Sequence, residues 1–312
     1  MPSSLALRGE TFRMEYKFPT ILIGLLLLVF LSPLIAQDAV APPPPTNFPP
    51  TNDPKEIVRR SVEIDHKTME RARNYTCQQR EVEKHLDTHG AVKSVESKTW
   101  DITVLYGEPY SRLIRKNDQP LSEKDARKED EKMDKFIAER KNESEEKRAK
   151  REAKQKKERE EGRAFLRDVS NAYDFRIAGE EPVDGRPAWI LEALPRKDFH
   201  PTQPHADILP KLKGRIWIDK KEYYWVKAEA EAIDTISFGW FLARVHKGSR
   251  FSFEQTRLND EVWLLRRFYI NASARLLLFK NMAIEQEDIF SNYKKFTTGT
   301  KILPGIKEVE PK

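Results

Sequence analysis

The side chains that most often carry catalysis or bind metals are few in this chain, and their spacing suits neither task. The six histidines are His66, His85, His89, His200, His205 and His246. Metal sites use closely spaced ligands, whereas His85 and His89 flank a predicted hairpin turn without a carboxylate-rich partner motif. The single Cys77 lies on a predicted strand, without a motif that lowers a thiol pKa. We therefore expect surface histidines, a buried or half-buried thiol and no metal.

Signatures of enzymes are also missing from the sequence. It contains no nucleophile elbow, no glycine-rich phosphate loop and no zinc-finger spacing. The formal net charge of +6 over 312 residues is mild, so nucleic acid is not an expected partner. Because one cysteine cannot form an internal disulfide, a packed core must stabilise the fold. The sequence predicts a non-enzymatic protein without a cofactor.

The N-terminal region has the pattern of an export signal. Residues 21–31 are all apolar except for one glycine, and Ser-Pro-Leu-Ile-Ala and then Gln37 follow them. This stretch is shorter than the roughly 20 residues of a membrane span and matches a signal peptide with its cleavage zone. We predict a signal peptide over residues 1–36, cleaved near Ala36, and a periplasmic or secreted protein. An uncleaved anchor is the alternative, and translation from Met14 is a further hypothesis, because it gives a more ordinary signal length.

Shifts in composition divide the rest of the chain. A proline-rich stretch predicts a semi-rigid linker, and Asp53-Pro54 is a helix-start signal for an amphipathic helix over about residues 54–73. The predicted divisions are a linker over residues 37–53, a single domain over residues 54–296 with a charged helix inserted at 123–163, and a loose tail over residues 297–312.

Alternation of apolar and polar residues dominates the domain. It predicts strands at residues 75–86, 92–106, 110–115, 175–177, 189–194, 215–219, 225–233, 251–258, 262–271, 276–282 and 283–290. Between 225 and 233, Val226 and Ala228 share one face while Lys227 and Glu229 share the other, as in a sheet with one covered face. The predicted fold class is α+β. It is a large curved antiparallel sheet, an open or half β-barrel, with a covering N-terminal helix and a long charged helical insertion.

Residues 123–161 form the charged run of that insertion. They include neither Gly nor Pro, and 15 Lys or Arg side chains are balanced by 14 Asp or Glu side chains. Acidic residues often stand four positions before basic ones, which supports a helix. We predict one long helix that docks through Met133, Phe136 and Ile137 and is solvated beyond them. The charge balance favours a solvated insertion over an arm that binds RNA or a membrane.

The apolar side chains of the predicted strands need more cover than the helices at 54–73 and 236–247 provide. We therefore predict an apolar groove that binds a ligand, and a plain, fully covered core is the alternative. The candidate groove residues are Trp100, Ile102, Val104, Trp189, Leu191, Ile216, Ile218, Phe251, Phe253 and Leu264. The candidate lid residues, on a predicted short helix, are Phe238, Trp240, Phe241, Leu242 and Val245.

The signal peptide, the helix leading into a meander and three strand motifs together resemble a known family. The motifs are VDGRPAWILE at 183–192, GRIWIDK at 214–220 and VKAE at 226–229. They resemble the periplasmic outer-membrane lipoprotein carrier (LolA-like) family, especially its lipoprotein-sorting relatives, over about residues 54–122 and 164–296. The resemblance implies an open antiparallel β-barrel that shuttles lipidated or hydrophobic cargo. The charged run is not part of the small carriers, and their gating arginine matches no residue here.

The expected function follows from the groove and this resemblance. It is that of an exported periplasmic carrier or binding protein for lipid, lipoprotein acyl chains or another hydrophobic ligand. The expected partners are a lipid or a lipidated protein, with transient membrane contact, and the protein is expected to be a monomer. The alternative is a non-enzymatic cell-envelope scaffold whose charged helix binds a partner.

Overall fold

The computed structural model describes residues 48–72, 75–238, 243–276 and 280–295. The predicted signal peptide, the loose tail and the candidate lid residues Trp240, Phe241 and Leu242 lie outside these residues. None of the helices in the described part of the chain is long and apolar enough to cross a membrane.

One antiparallel sheet and a few helices make up the described chain. The strands are β1 (Tyr75–Leu86), β2 (Val92–Leu105), β3 (Glu108–Lys116), β4 (Gln119–Pro120), β5 (Tyr173–Val183), β6 (Arg186–Pro195), β7 (Leu212–Asp219), β8 (Trp225–Ala232), β9 (Ile236–Phe238), β10 (Ala243–Val245), β11 (Arg250–Leu258), β12 (Val262–Leu276) and β13 (Lys280–Lys295). The helices are α1 (Pro54–Ala72), α2 (Glu123–Lys141) and α3 (Glu145–Ala172), and a 3-10 helix covers Ala206–Lys211.

The sheet is long and open. Its order is β4-β3-β2-β1-β13-β12-β11-β8-β7-β6-β5, and β9 and β10 extend it beside β12. The strand at one end of this order is β4, which has two residues. The strand at the other end is β5, which has a register shift between Ile177 and Gly179. Within the described residues these two edges do not pair with each other. The predicted fold class, an α+β open half-barrel with a helical insertion, is confirmed.

The observed bounds of the first helix and the first strand agree closely with the predicted ones. β1 is predicted at its observed bounds, and α1 ends one residue earlier than predicted. The predicted turn around Asn271 is wrong, because β12 continues to Leu276. Ala272 and Ala274 are buried there and pair with β13. The small side chains of this segment, which suggest a turn, instead fit a strand that packs against the core. The region of β13 was predicted as two strands, and it forms one.

The charged run forms two helices, so the prediction of a single long helix is wrong. Ser144 starts α3, where its hydroxyl accepts a hydrogen bond from the Lys147 N–H at 3.3 Å. Both helices bind one carboxylate at the start of β3. Glu108 accepts a hydrogen bond from Arg140 of α2 at 2.9 Å and one from Arg151 of α3 at 3.0 Å. The insertion is therefore docked on the sheet through both helices, rather than solvated beyond its first turns.

The predicted short helix over 236–247 is also wrong, because both ends of this segment are strands. β9 and β10 pair with each other, and β10 pairs with β12. Val245 is fully buried opposite Ala274, and Phe238 is half-buried against the main core. These two candidate lid residues thus belong to a hairpin that extends the sheet.

The two faces of the sheet differ in what covers them. The inner face carries the main core, in which Leu191 and Ile218 pack with Ile57 and Val58 of α1. The outer face is not solvent-exposed throughout, so the prediction of a single covered face is wrong. It carries a smaller cluster of Ala188, Trp217, Tyr224, Val226 and Trp263. A register shift beside Trp217 turns Val226 to the outer face, away from Ala228.

Candidate ligand-binding cavity

An apolar cavity of about 380 Å³ lies on the inner face, between α3, the 3-10 helix and the sheet. Aromatic and aliphatic side chains from four neighbouring strands form its floor. These floor residues are Ile216, Trp225, Ala228, Phe251, Phe253 and Phe268. Phe165, Leu166 and Val169 of α3 form its roof, and Ile208 and Leu209 of the 3-10 helix form one wall.

Helix α3 supplies the roof because its composition changes along its length. Its first half is charged apart from Ala149, Ala153 and Gln155, and large apolar side chains begin at Phe165. Phe165, Val169 and Ala172 are spaced four and then three residues apart, which places them on one stripe of a helix. All three are buried. The charged insertion thus ends as an amphipathic cover over the sheet.

Buried polar contacts hold the roof and the wall in place. The Asp168 carboxylate of α3 accepts hydrogen bonds from the Thr202 hydroxyl at 2.8 Å and from the backbone N–H groups of Thr202 and Gln203 at 3.0 and 3.1 Å. The Tyr173 hydroxyl donates to the Leu209 carbonyl of the 3-10 helix at 2.9 Å. The cavity is therefore held open by a fixed frame rather than by loosely packed side chains.

The floor depends on a glycine where two strands approach closely. A β-carbon at Gly214 of β7 would lie 2.2 Å from the Glu229 carbonyl oxygen of β8, which is far inside contact distance. Trp225 is fixed from the opposite side, because its indole N–H donates to the Ser61 hydroxyl of α1. The floor is thus positioned by both the sheet and the N-terminal helix.

Charged residues border the cavity in two places. Glu158 and Glu161 of α3 lie beside its roof. Lys213 and Arg215 of β7 and Glu229 of β8 border its floor, and their side chains lie on the outer face because they alternate with Gly214, Ile216 and Ala228. The Arg215 and Glu229 side chains are 55% and 47% exposed. Apolar walls with a few polar groups at the edge are typical of sites for small amphiphilic or apolar molecules.

The structure places the candidate groove residues in several environments. Ile216, Phe251 and Phe253 line the cavity. Trp189, Leu191 and Ile218 are instead buried in the main core, and Ile102 is half-buried against it. Leu264 packs with Tyr75 and Val262 in a separate cluster, and Val104 is half-buried on β2. Only part of the predicted groove is therefore brought together at the cavity.

Trp100 lies elsewhere, in a second cleft of about 570 Å³ between α2 and strands β2 and β3. The rings of Tyr110 and Phe136 lie 5.0 Å apart in this cleft, which also contains Lys98 and Lys132. The Phe136 ring is thus one of the contacts that dock α2, as predicted for this residue.

Sequence reasoning missed the floor residues Trp225 and Phe268 and the contribution of α3. Phe268 lies on β12 next to residues with less regular alternation, and Trp225 was read only as the start of a strand. The spacing of Phe165, Val169 and Ala172 was the available signal for the roof. It did not show which part of the sheet these residues would cover.

The structure offers no arrangement for metal or thiol chemistry in the residues that it describes. No group of three or more His, Cys, Asp or Glu side chains there is arranged to hold a metal ion. Cys77 is half-buried, and burial, assisted by the negative charge of Asp101, raises the pKa of its thiol to about 12. This agrees with the predicted half-buried, unreactive thiol.

The raised pKa of Cys77 predicts slow alkylation, because the thiolate is the reactive species. We expect iodoacetamide to modify the native protein more than about tenfold more slowly than the urea-unfolded protein at the same neutral pH. Mass spectrometry of quenched time points measures both rates. Equal rates would contradict the burial of this thiol.

Comparisons with known proteins give matches to solved structures only. No protein-family model and no curated protein matches the chain. A LolA superfamily protein from Nitrosomonas europaea is 11% identical, with a TM-score of 0.26, over 78% of this chain and 94% of that one. A putative outer membrane lipoprotein-sorting protein domain from Vibrio parahaemolyticus is 13% identical, with a TM-score of 0.27, over 78% and 95%.

The MucA/MucB complex of Pseudomonas aeruginosa gives a further match, which is 10% identical with a TM-score of 0.22, over 79% of this chain and 100% of that one. Likeness at these identities concerns the fold alone, and the TM-scores are too low to support a function. The strand order makes the chain an α+β open half-barrel, and a LolA superfamily protein is among the solved structures to which it is similar.

Proposed function

We propose that this chain is an exported, non-enzymatic periplasmic binding or carrier protein that holds an apolar ligand in the cavity beneath α3. The observation that supports the proposal is the cavity, whose volume of about 380 Å³ falls in the usual range for small-molecule sites. Its walls are aromatic and aliphatic, and the acidic residues Glu158 and Glu161 of α3 border it. Export rests on the signal-peptide pattern of residues 1–36.

Shape and burial suffice to bind such a ligand. Each methylene moved from water into an apolar site contributes about 0.8 kcal/mol. The roof, wall and floor are each fixed by buried hydrogen bonds, so little ordering is needed on binding. A preformed apolar site of this kind favours alkyl chains, including those of lipids and lipidated proteins, and needs no catalytic group.

Native mass spectrometry of the protein purified from its periplasmic fraction tests this proposal. We expect a population with a bound mass that organic extraction releases as a lipid or another apolar molecule. Protein from which the ligand is extracted should bind added alkyl probes and gain thermal stability. Repeated recovery of ligand-free protein, together with no stabilisation by any alkyl probe, would contradict the proposal.

Filling the cavity provides a site-specific prediction. Ala228 lies on the floor and is half-buried, so Ala228→Phe should displace roughly three methylenes of ligand and weaken binding by about 30- to 100-fold. Displacement of a fluorescent fatty-chain probe measures the affinity.

Ala178→Phe is the matched control, since Ala178 is an exposed residue of β5 that does not line the cavity. This variant should bind the probe as the wild type does. Equal affinities for Ala228→Phe and the wild type would place the ligand elsewhere.

A further inference from the structure

A group of polar side chains, two of which are buried, continues the floor of the cavity along the inner face. We name it the acceptor cluster, and its members are Gln79, Glu81 and Glu83 of β1 and Gln286 and Asp288 of β13. Gln286 is fully buried, and Asp288 is 1% exposed. Asp288 stands directly opposite Phe268 of the cavity floor. The two sites are therefore neighbours on adjacent strands, about 4.8 Å apart in the sheet.

Directly paired residues form one row across the strands that joins the two sites. The row runs through Ile216, Ala228, Phe253, Phe268, Asp288, Glu81 and Lys98. Its first four members line the cavity and are apolar. Its character changes to acidic at Asp288. The inner face thus offers an apolar track that meets the carboxylates of Asp288 and Glu81, and Lys98 lies beyond them.

The hydrogen bonds of the acceptor cluster leave acceptors unused. Asp288 accepts one bond from the Gln79 side-chain amide at 3.0 Å and one from the Gln286 amide at 2.8 Å. The Gln286 amide nitrogen also lies 3.4 Å from a Glu81 carboxylate oxygen. The Gln286 side-chain oxygen is buried and accepts no hydrogen bond from the described residues. Within that same part of the chain, Asp288 makes no ion pair.

This arrangement is costly for the protein alone. A buried acceptor without a donor costs about 1–3 kcal/mol, and a buried carboxylate without a cation costs more. Burial raises the pKa of Asp288 to about 6. The hydrogen bonds from Gln79 and Gln286 lower this pKa, and the negative charges of Glu83 and Glu287 raise it by smaller amounts. The carboxylate is still mostly ionised at neutral pH, and a positively charged donor would satisfy both Asp288 and the Gln286 oxygen.

We propose that the acceptor cluster binds the ammonium group of an amphiphilic ligand whose apolar chain lies in the cavity. This inference rests on the proposed apolar-ligand function and specifies the polar end of that ligand. An anionic head group would meet Glu81, Glu83 and Asp288 and be repelled. A neutral water could pair with the Gln286 oxygen but would leave the Asp288 charge uncompensated.

Binding of matched alkyl probes tests the inference. n-Decylammonium, n-decanol and n-decanoate share one chain and differ in the head group, and each is titrated below its micelle concentration. We expect the ammonium probe to bind roughly tenfold or more tightly than the alcohol, because a charge-assisted hydrogen bond is stronger than a neutral one. Decanoate should bind most weakly. Asp288→Asn should bring the ammonium probe to the affinity of the alcohol without weakening the alcohol.

Glu285→Gln is the matched control, because Glu285 lies on the outer face of the same strand and pairs with Lys84 at 2.6 Å. It should keep the preference for ammonium. If Asp288→Asn does not fold, Glu83→Gln and the pH dependence of the wild type replace it. The ammonium preference should fall as the pH is lowered from about 7.5 to about 5, because Asp288 becomes protonated.

Other charged groups near Asp288 must be separated from it in the pH experiment. They are Glu81, Glu83 and His85 of β1, Glu96 and Lys98 of β2, and Glu287 of β13. His85 lies 2.8 Å from Glu83, so the titration is repeated with His85→Gln. A pH dependence that disappears in this variant would overturn the assignment to Asp288.

The possible outcomes separate this inference from the function on which it rests. Preference for ammonium that depends on Asp288 supports both. Equal binding of the three decyl probes, or an unchanged preference in Asp288→Asn, overturns the inference and leaves the apolar cavity in place; the unused acceptor then holds a buried water. Failure of all three probes to bind overturns the cavity proposal as well.

Discussion

Replacing Asp219 with alanine is expected to lower the free energy of unfolding by about 3 kcal/mol. Asp219 is 1% exposed, and its carboxylate accepts two hydrogen bonds from the Arg186 guanidinium, at 2.7 and 3.0 Å. The same carboxylate accepts the backbone N–H groups of Lys221 and Glu222 at 3.0 and 2.6 Å in the turn after β7. Alanine would remove the acceptor of the two turn N–H groups and two contacts of Arg186, which would retain Glu222 at 3.2 Å. Urea unfolding followed by tryptophan fluorescence measures the loss.

A surface pair provides the control for Asp219. Arg196 and Asp198 make the same two-point contact, at 3.1 and 2.8 Å, but the Asp198 side chain is 71% exposed. Asp198→Ala should therefore lower the free energy of unfolding far less than Asp219→Ala does. Asp219→Asn keeps an oxygen for the turn but loses the charge, and it should fall between the two. Equal losses for the two alanine variants would contradict the role assigned to burial.

Replacing Glu108 with alanine is expected to release the helical insertion from the sheet without unfolding the rest of the domain. One oxygen of Glu108 binds Arg140 of α2, and the other binds Arg151 and Gln155 of α3 at 3.0 and 2.7 Å. The Glu108 side chain is only 12% exposed, and Gln155 is buried. We expect docking to weaken by about 3 kcal/mol, roughly a hundredfold.

Amide hydrogen exchange resolves this local effect. Protection of the first half of α3 and of α2 should fall in Glu108→Ala, while that of β7 and β8 should be retained, since local opening involves only the contacts of the segment that opens. Glu139→Ala is the control, because Glu139 is 57% exposed and its ion pair within the described residues is a long one, with Lys135 at 4.0 Å. A uniform loss of protection across the sheet would show that the insertion and the sheet unfold together.

Alternation of residue types carried enough information to predict the sheet. β2 alternates Trp100, Ile102 and Val104 with Asp101 and Thr103, and it ends at Leu105, one residue before its predicted end. β12 was cut short, because Asn271 to Ser273 have the composition of a turn while their environment is that of a buried strand. Residues with the composition of a turn form one only when no neighbouring strand accepts and donates their backbone hydrogen bonds. Here β13 pairs with this segment, so the strand continues.

What covers the sheet could not be predicted, because the contacts that decide it join distant parts of the chain. Glu108 fixes Gln155, which is 47 residues away, and Asp168 fixes Thr202 across 34 residues. The sequence showed an amphipathic stripe at Phe165 but no signal for the strands beneath it. Trp189 and Leu191 were therefore assigned to an open groove, although α1 and its neighbours bury them.

The acceptor cluster was hidden for a different reason. In β13, Glu285, Gln286, Glu287 and Asp288 are four polar residues in sequence, which indicates a solvated strand. The register places Gln286 and Asp288 on the inner face and leaves their neighbours outside. A polar residue in a strand is buried or exposed according to its partners, and these are set by pairings with β1 and β12 that the sequence does not reveal.

The two edges of the open sheet bear on how this protein behaves when it is crowded among other chains. An unpaired edge strand is a template on which another chain can add, and long sheets are prone to fibre growth and domain swapping for this reason. β4 offers only Gln119 and Pro120, and proline has no N–H to donate. At the other edge, β5 is interrupted by its register shift and carries Pro182. Neither edge presents a long regular ladder, so we expect the ligand-free protein to resist edge-to-edge polymerisation.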